Sequence, residues 1–146
     1  MRLMYGLTES QFSSYVETAL KNRVNPTESL FQALESRLDS VIYRMGLAQS
    51  RRMARQLASH GHFTVNGKRM TVPSYRVRPT DRIAVREGSR GSALFANAHE
   101  RLAEYRSPSW VIFNTETFEG GLKSLPANAG EGVGMDVQAV FEYYTR

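Results

Sequence analysis

The stretch Ser50–Arg69 constrains the fold of this chain more than any other segment. It places an arginine-rich helix, a Gly-His turn, a strand and an Asn-Gly turn in immediate succession, in the order SRRMARQLASHGHFTVNGKR. Ser50 is a favoured helix N-cap residue, Gly61 ends the helix, and Asn66-Gly67 is a strong signal for a type I′ hairpin. The segment therefore predicts a helix followed directly by the first hairpin of a small antiparallel sheet.

Positive charge is concentrated around this stretch. Residues 35–90 hold 12 of the 19 Lys and Arg but only four acidic residues, which gives a net charge of +8. Residues 1–34 are neutral overall, and residues 91–146 carry a net charge of −3. A basic module of this kind is typical of a nucleic-acid-binding site.

A single arginine-rich helix is usually a solvated charged face. Here the positive charge continues beyond Arg51, Arg52 and Arg55 of the helix, with almost no acid between the basic residues. The further members are Lys68, Arg69, Arg76, Arg78 and Arg86. Arginine binds phosphate through its bidentate fork and stacks on bases, so this face is expected to bind nucleic acid. No basic helix carries a bulky apolar face for lipid, and no apolar run reaches the ~20 residues of a membrane helix, so no membrane partner is expected.

Capping signals predict two helical segments before the basic module. Thr8 and Gln11 have capping-box spacing at the start of a helix over Thr8–Leu20. Asn25 is the expected N-cap of a second segment, which begins at Pro26 and stops at Gly46. The apolar stripe of this segment fits one long helix or two helices that share a bend near Glu35.

Short apolar runs predict strands and helices in the remainder of the chain. The strand positions are Met70, Val72, Tyr75, Val77, Ile83, Val85, Trp110–Phe113 and Leu122–Leu125, the last two joined by a turn at Glu119-Gly120-Gly121. A hinge is expected at Ser89–Ser92, and helices at Leu94–Tyr105 and Asp136–Tyr144. The helices at the two ends of the chain each have an apolar face and no other obvious partner, so we expect them to pack together.

This pattern predicts an α+β fold with two domains. A small helical domain comprises residues 1–34 and 127–146. An RNA-binding module of helices packed on a small antiparallel sheet is inserted at residues 35–126, with its basic core at 35–90.

No residue pattern favours an enzyme, a cofactor or a metal site. The chain contains no cysteine. His60 and His62 have no further ligand near them in sequence, so a helix-ending turn is the better interpretation. No nucleophile motif or phosphate loop is present, which argues against a small-molecule substrate. Tyr43 and Tyr75 fit stacking on unpaired bases, and they fit equally well as partly buried core anchors.

The pattern LESRLD…YRMG…SR…ARQL.SHGH…VNG, together with Pro108-Ser109-Trp110 and the ending Phe141-Glu142-Tyr143-Tyr144, resembles bacterial-type small-subunit ribosomal protein S-four (uS-four). The resemblance extends over nearly all of the chain. The family begins with a further N-terminal extension, and the resemblance here starts after it. Residues 115–134 follow the family pattern more loosely.

The resemblance implies direct binding to small-subunit (16S-type) rRNA at a multi-helix junction in its 5′ domain. It also implies early nucleation of subunit assembly, contact with the neighbouring protein S-five, an influence on decoding accuracy, and a location in the ribosome of the cytoplasm or of an organelle. The positions that match the family motif are Arg44, Ser50, Arg51, Arg55, Gln56, His60, Gly61, His62, Asn66, Gly67, Lys68, Ser74, Tyr75, Arg76, Arg86, Ser89 and Arg90. Together with Arg52 and Arg69 from the charge pattern, they form the expected RNA-binding set.

Four other functions compete with this interpretation. A stand-alone RNA-binding regulator and a heat-shock-type ribosome-binding protein contain the same RNA module. The module also occurs as an appendage of RNA-modifying enzymes, but 146 residues leave no room for a catalytic domain. A pure protein-interaction module would instead place the basic face against an acidic partner.

Overall fold

The computed structural model of the chain describes residues 5, 7–22, 25–92, 95, 98–103, 105 and 107–126. The chain divides into two compact units, Met1–Glu35 with Pro126–Arg146, and Ser36–Leu125. The helices and the antiparallel sheet make an α+β fold, which confirms the predicted fold class. The helix predicted at Asp136–Tyr144 lies outside the described residues, so the helical domain built from both ends of the chain stays a prediction.

The first unit contains two helices whose starts were predicted from capping signals. α1 spans Glu9–Leu20, and the side chains of Thr8 and Gln11 each accept a 3.2 Å hydrogen bond from the other residue's backbone N–H. α2 spans Pro26–Glu35, and Asn25 Oδ1 accepts a 3.1 Å hydrogen bond from a backbone N–H of the first turn. Both caps satisfy N–H groups that have no partner inside the helix.

A small apolar core lies between these two helices. Its buried members are Tyr5, Leu7, Phe12, Val16, Ala19, Leu30 and Leu34. The Tyr5 hydroxyl donates a 2.6 Å hydrogen bond to Oε1 of Glu35, which is also buried. The bond supplies the buried carboxylate with the partner that its burial requires.

The helical pattern after Asn25 forms two helices, not one. α2 ends at Glu35, and α3 spans Leu38–Arg44. Between them Arg37 forms an isolated antiparallel bridge with Arg76, and backbone hydrogen bonds of 2.7 and 2.8 Å flank the bridge. The backbone between α2 and α3 therefore pairs with the segment around Arg76, and it is not helical there.

The second unit begins with the helix pair α3 and α4. α4 spans Arg51–Ser59, and its N-cap Ser50 accepts a 3.1 Å hydrogen bond from the first turn. Its buried face is formed by Ala54, Leu57 and Ala58. Gly46 and Gly61 follow the two helices with φ values of +86° and +78°. The cap, the inward face and the glycine stops all agree with the sequence prediction.

A five-stranded antiparallel sheet packs in the same unit, with the order β2-β1-β3-β5-β4. The strands are β1 Phe63–Val65, β2 Lys68–Arg69, β3 Ile83–Val85, β4 Val111–Asn114 and β5 Glu119–Leu122. Asn66 and Gly67 connect β1 to β2 with φ values of 53° and 84°, which confirms the predicted hairpin. The buried face of β1 and β3 consists of Phe63, Val65, Ile83 and Val85.

The strand predictions between the first hairpin and β3 were wrong. Among the described residues, Met70, Val72, Tyr75 and Val77 lie in no strand, and the segment around them is irregular. Only the bridge at Arg76 pairs it with another segment. Backbone hydrogen bonds to Ser36 and to Leu38 and Asp39 at the start of α3 take the place of a ladder there.

The last hairpin is shifted from its predicted position. β5 spans Glu119–Leu122, so the predicted strand at Leu122–Leu125 and the predicted turn at Gly120-Gly121 were wrong. The turn begins at Asn114, whose Oδ1 accepts a 2.9 Å hydrogen bond from Glu116 N. A Cβ at Gly120 would overlap the backbone of β4, so this strand position requires glycine.

Three other boundaries differ from the prediction. The expected hinge at Ser89–Ser92 overlaps a short helix, α5, at Glu87–Arg90. Within the predicted helix Leu94–Tyr105, the described helix is α6, Ala98–Ala103. The strand predicted at Trp110–Phe113 begins one residue later. No helix in the described ranges is long and apolar enough to cross a lipid bilayer.

Candidate nucleic-acid interface

The expected RNA-binding residues separate into three groups by burial. The exposed group is Ser50, Arg52, Gln56, His60, Asn66, Gly67, Lys68, Arg69, Ser74, Arg76 and Arg86. The half-buried group is Arg44, Arg51, Arg55, His62, Tyr75 and Arg90, and the buried group is Gly61 and Ser89. The exposed residues are therefore the ones available for direct contact with a nucleic acid, and the others mainly shape the surface.

α3 and α4 are joined by buried charge. Arg37 Nε and Nη2 each donate a 3.0 Å hydrogen bond to the Asp39 carboxylate, and both side chains are 5% exposed. Arg55 Nε lies 3.7 Å from the same carboxylate. Arg51 Nη1 donates a 3.2 Å hydrogen bond to Ser40 Oγ. Arg51 and Arg55 thus extend from α4 toward α3.

Tyr43 lies beneath an arginine of α4. The guanidinium carbon of Arg51 is 4.7 Å from the centroid of the Tyr43 ring, and that of Arg44 is 5.6 Å from it. Such cation–π contacts contribute roughly 0.5–1 kcal/mol at exposed sites and more when desolvated. They hold the Tyr43 ring at the edge of the helix pair.

Arg69 closes the C-terminal end of α4. Its Nε donates a 3.1 Å hydrogen bond to Gly61 O, and its Nη2 donates a 3.2 Å bond to His60 O. Carbonyl groups at a helix C-terminus have no intrahelical partner and carry partial negative charge. The Arg69 side chain therefore fixes the Gly-His turn against the first hairpin.

His62 belongs to a hydrogen-bonded pair behind the surface. Its Nδ1 lies 2.8 Å from Oγ of the buried Ser89. Burial lowers the pKa of His62 below its ordinary value, and the positive charges of Arg86, His60 and Arg69 lower that pKa further. The imidazole is therefore neutral at pH 7. In the part of the chain that the structure describes, no three His, Cys, Asp or Glu form a metal-binding group.

Asp81 organises the loop beside the first hairpin. Its carboxylate accepts hydrogen bonds from Asn66 Nδ2 at 2.9 Å, Tyr75 OH at 2.8 Å and Arg78 N at 3.0 Å. Desolvation raises the pKa of Asp81, but these hydrogen bonds outweigh it and the net pKa is lowered. The bond to Asp81 is also the largest cause of the raised pKa of Tyr75. Asn66 and Tyr75 therefore hold the hairpin and the loop together.

The outer surface around this framework carries unneutralised positive charge. Within the described residues, the side chains of Arg52, Lys68, Arg76 and Arg86 are exposed and make no hydrogen bond or ion pair. Arg82 lies 3.7 Å from Glu119, but their side chains are 72% and 42% exposed, so water screens the pair. The acidic residues Glu35, Asp39 and Asp81 are engaged in hydrogen bonds of their own. We call Arg52, Lys68, Arg76 and Arg86 the exposed basic set.

A scan against family models matches the S4 domain at residues 36–83. The small ribosomal subunit protein uS4 of Acetivibrio thermocellus is 45% identical over 145 residues, which cover 99% of this chain and 70% of that protein. The uS4 of Mycobacterium avium is 46% identical over 99% of this chain and 72% of that protein, and the uS4 of Thermotoga maritima is 41% identical over 100% and 70%. The chain belongs to the uS4 family. It spans about 70% of the length of these relatives.

Two structural residues of this chain do not belong to the set predicted from the sequence. Asp39 and Asp81 are acids inside a strongly basic segment, and both accept several hydrogen bonds from neighbouring residues. The signal that could have identified them is their isolation in the sequence, because an acid among many cations is expected to have a specific partner. The bonds from Arg37 to Asp39 and from Arg78 to Asp81 are local, whereas the Asn66–Asp81 bond and the Arg55–Asp39 ion pair join different elements and leave no pattern in the sequence.

A concave surface of this chain lies on the outer face of the sheet. It is a groove of about 570 Å³ with Arg82, Arg86 and Arg90 along it and Asn66 at one end. Arg90 is held there by a 2.9 Å hydrogen bond from its Nε to Val85 O, and its guanidinium carbon is 5.7 Å from the Phe118 ring centroid. Arg82 was not in the expected set, although its exposure and position match those of Arg86.

Proposed function

We propose that this chain is a structural constituent of the small ribosomal subunit that binds small-subunit rRNA directly. The observation that carries the proposal is the exposed basic set on and around α4 and the first hairpin, while Asp39 and Asp81 of the same unit are already hydrogen-bonded internally. Phosphate groups of RNA supply the missing counter-charge. The family membership supports the same function.

The finer role follows from the family resemblance. We infer binding at a multi-helix junction in the 5′ domain of 16S-type rRNA, early nucleation of subunit assembly and an influence on decoding accuracy. Ribosomal protein S-five is the inferred protein neighbour, and the ribosome of a bacterial cytoplasm the inferred location. The inferred role is structural, with no catalytic step and no cofactor, and the helical domain of residues 1–34 and 127–146 stays part of this proposal.

The expected RNA-binding set divides into contact residues and supporting residues. Arg52, Gln56, Lys68, Arg76 and Arg86 are proposed to touch RNA, since their side chains are exposed. Gly61, His62 and Ser89 are proposed to support the turn from within. Arg51 and Arg55 do both, because each is half-buried and also contacts α3.

Recovery of bound RNA tests the function. The purified chain is incubated with total bacterial RNA, and the retained RNA is sequenced. We expect enrichment of one region of small-subunit rRNA. Recovery of tRNA or mixed RNA would favour a stand-alone regulator, and recovery of no RNA would favour a protein-interaction module.

A matched pair of lysine variants tests whether the surface around Lys68 binds RNA. Lys68 lies on β2 at one edge of the sheet, whereas Lys123 follows β5 on the other half. Both lysines are exposed, so Lys68→Ala and Lys123→Ala remove the same charge with little effect on folding. We expect Lys68→Ala to weaken binding to a 5′-domain rRNA fragment and Lys123→Ala to leave it nearly unchanged. Equal affinities of the two variants would show that Lys68 lies outside the RNA-binding surface.

A further inference from the structure

Tyr43 lies where helices α3 and α4 meet, and its side chain is half-buried. Two guanidinium groups approach its ring. The guanidinium carbon of Arg51, the first residue of α4, is 4.7 Å from the ring centroid, and that of Arg44 is 5.6 Å from it. Both arginines belong to the expected RNA-binding set, whereas Tyr43 does not. The ring therefore lies within cation–π distance of two members of that set.

Ser40 holds the same arginine from an earlier position on α3. Arg51 Nη1 donates a 3.2 Å hydrogen bond to Ser40 Oγ, and Ser40 is 2% exposed. Residues three positions apart on a helix lie on the same face, so Ser40 and Tyr43 form one surface of α3 toward the start of α4. A hydrogen bond and an aromatic ring thus restrain one guanidinium group at two points.

This restraint of Arg51 in the free chain favours the binding of an anion. An unrestrained arginine side chain occupies many rotamers, and it loses their entropy when it binds a ligand. A side chain that is already ordered loses less entropy, so the affinity rises without any new contact to the ligand. An aromatic ring also leaves the positive charge of the guanidinium intact, whereas a carboxylate such as Asp39 beside Arg55 neutralises it.

We propose that Tyr43 is a positioning residue for RNA binding, which holds the guanidinium of Arg51 ready for an RNA phosphate. Tyr43 acts through Arg51 and does not itself touch RNA. The inference rests on the proposed RNA-binding function of the chain. Arginine suits the phosphate because its fork donates two parallel hydrogen bonds to adjacent oxygens.

Two other roles of Tyr43 fit the structure less well. The guanidinium of Arg51 lies over the ring and occupies space that a stacked RNA base needs. The apolar core of α3 is formed by Leu38, Val41 and Ile42, which are 0% exposed, whereas Tyr43 is half-buried. The surroundings of the ring therefore favour the positioning of an arginine over base stacking and over a purely structural role.

The test measures the affinity of the chain for a 5′-domain rRNA fragment over a range of salt concentrations. Tyr43→Phe keeps the aromatic ring, and Tyr43→Leu removes it. Arg51→Gln removes the charge and keeps part of the side chain. We expect Tyr43→Phe to bind like the wild type and Tyr43→Leu to bind about two- to fivefold more weakly, as the strength of an exposed cation–π contact implies.

Double variants show whether Tyr43 acts through Arg51. In the Arg51→Gln background, Tyr43→Leu should weaken binding much less than in the wild type, because the group that Tyr43 positions is already absent. Arg52→Ala is the matched control. Adjacent residues of a helix do not face each other, so the full loss from Tyr43→Leu should persist in the Arg52→Ala background.

The salt dependence gives an independent measurement. Loss of a phosphate contact reduces the slope of log affinity against log salt, because fewer counterions are released on binding. Tyr43→Leu should therefore shift the slope toward that of Arg51→Gln. Loss of a stacked base would weaken binding without changing the slope, and loss of a core anchor would lower only the stability of the chain.

Circular dichroism and thermal unfolding check that each variant is folded at the temperature of the binding measurement. Replacement of Tyr43 by a fluorinated phenylalanine keeps the proposal testable if Tyr43→Leu does not fold. Fluorine weakens the attraction of the ring for a cation and nearly preserves its shape, so this variant should bind RNA more weakly than Tyr43→Phe. Equal affinities of these two ring variants would contradict the proposal.

Three further outcomes would overturn the role of Tyr43. The first is a loss from Tyr43→Leu of the same size with and without Arg51, which would indicate base stacking. The second is wild-type affinity and slope in a folded Tyr43→Leu variant, which would leave Tyr43 a structural role alone. The third is wild-type affinity of Arg51→Gln, which would exclude Arg51 from the RNA contact. Failure of the wild type to bind the rRNA fragment would instead show that the proposed function itself is wrong.

Discussion

The carboxylate of Asp39 lies 3.7 Å from Nε of Arg55, and this ion pair links α3 to the basic helix α4. The same carboxylate binds Arg37 through two 3.0 Å hydrogen bonds. An arginine that sequence spacing assigns to RNA is thus also part of the helix interface. Replacing Arg51 and Arg55 together is therefore expected to lower both stability and RNA affinity, so exposed arginines give the cleaner test of binding.

Asp39→Ala should strongly destabilise the second unit. The change leaves the guanidinium of Arg37, which is 5% exposed, without its bidentate carboxylate. Breaking a buried ion pair by removing one partner typically costs about 3–5 kcal/mol. Urea denaturation monitored by circular dichroism measures the free energy of unfolding. Glu87→Ala is the matched control, because Glu87 is an exposed acid of the same basic module, and its loss should change stability little. Similar values for both variants would refute a structural role for Asp39.

Arg52→Ala combined with Arg76→Ala should reduce the salt dependence of RNA binding. Each lost phosphate contact removes about one unit from the slope of log affinity against log salt, so a reduction of roughly one to two units is expected. Both side chains are exposed, so the fold should be retained in circular dichroism. Filter binding over a range of salt concentrations measures the slope. A folded double variant with the wild-type slope would exclude these arginines from the RNA contact.

His62 should make stability fall as the solution becomes acidic. The pKa of His62 is lowered in the folded chain, chiefly by burial. As the pH falls, His62 therefore becomes protonated in the unfolded chain at a higher pH than in the folded chain. The stabilisation is present above the unfolded pKa of about 6.5 and is lost as the pH falls from there toward the folded pKa. The free energy of unfolding is measured at pH 7.5 and pH 5.5 for the wild type and for His62→Gln. We expect a smaller decrease for the variant, and identical decreases would show that His62 does not contribute.

Removal of metal ions should leave folding and RNA affinity unchanged. The Gly-His turn is interpreted as a helix stop, with His62 bonded to Ser89. Extended dialysis against a chelator, followed by thermal unfolding and filter binding, checks the expectation. Stoichiometric transition metal in the purified chain would contradict this interpretation of the turn.

Local features of the sequence determined the elements that organise the site. The capping pair Thr8 and Gln11, the N-cap Ser50 and the turn Asn66-Gly67 all form as predicted, because each acts within a few residues of chain. The apolar face of α4 follows directly from helical spacing. The charge distribution indicated a nucleic-acid-binding module, and the family followed from the resemblance of the motif residues.

Only the tertiary structure decided which residues meet across elements. The end of α2 depends on a bridge between Arg37 and Arg76, which are far apart in sequence. The position of β5 depends on its register with β4, where Gly120 permits an approach that other residues would block. The packing of the turn after α3, where Gly46 lies against the side chains of Leu102 and Tyr105, is likewise not visible in the sequence. These features arise from long-range packing and hydrogen bonds, and such pairings leave no periodic pattern in the sequence.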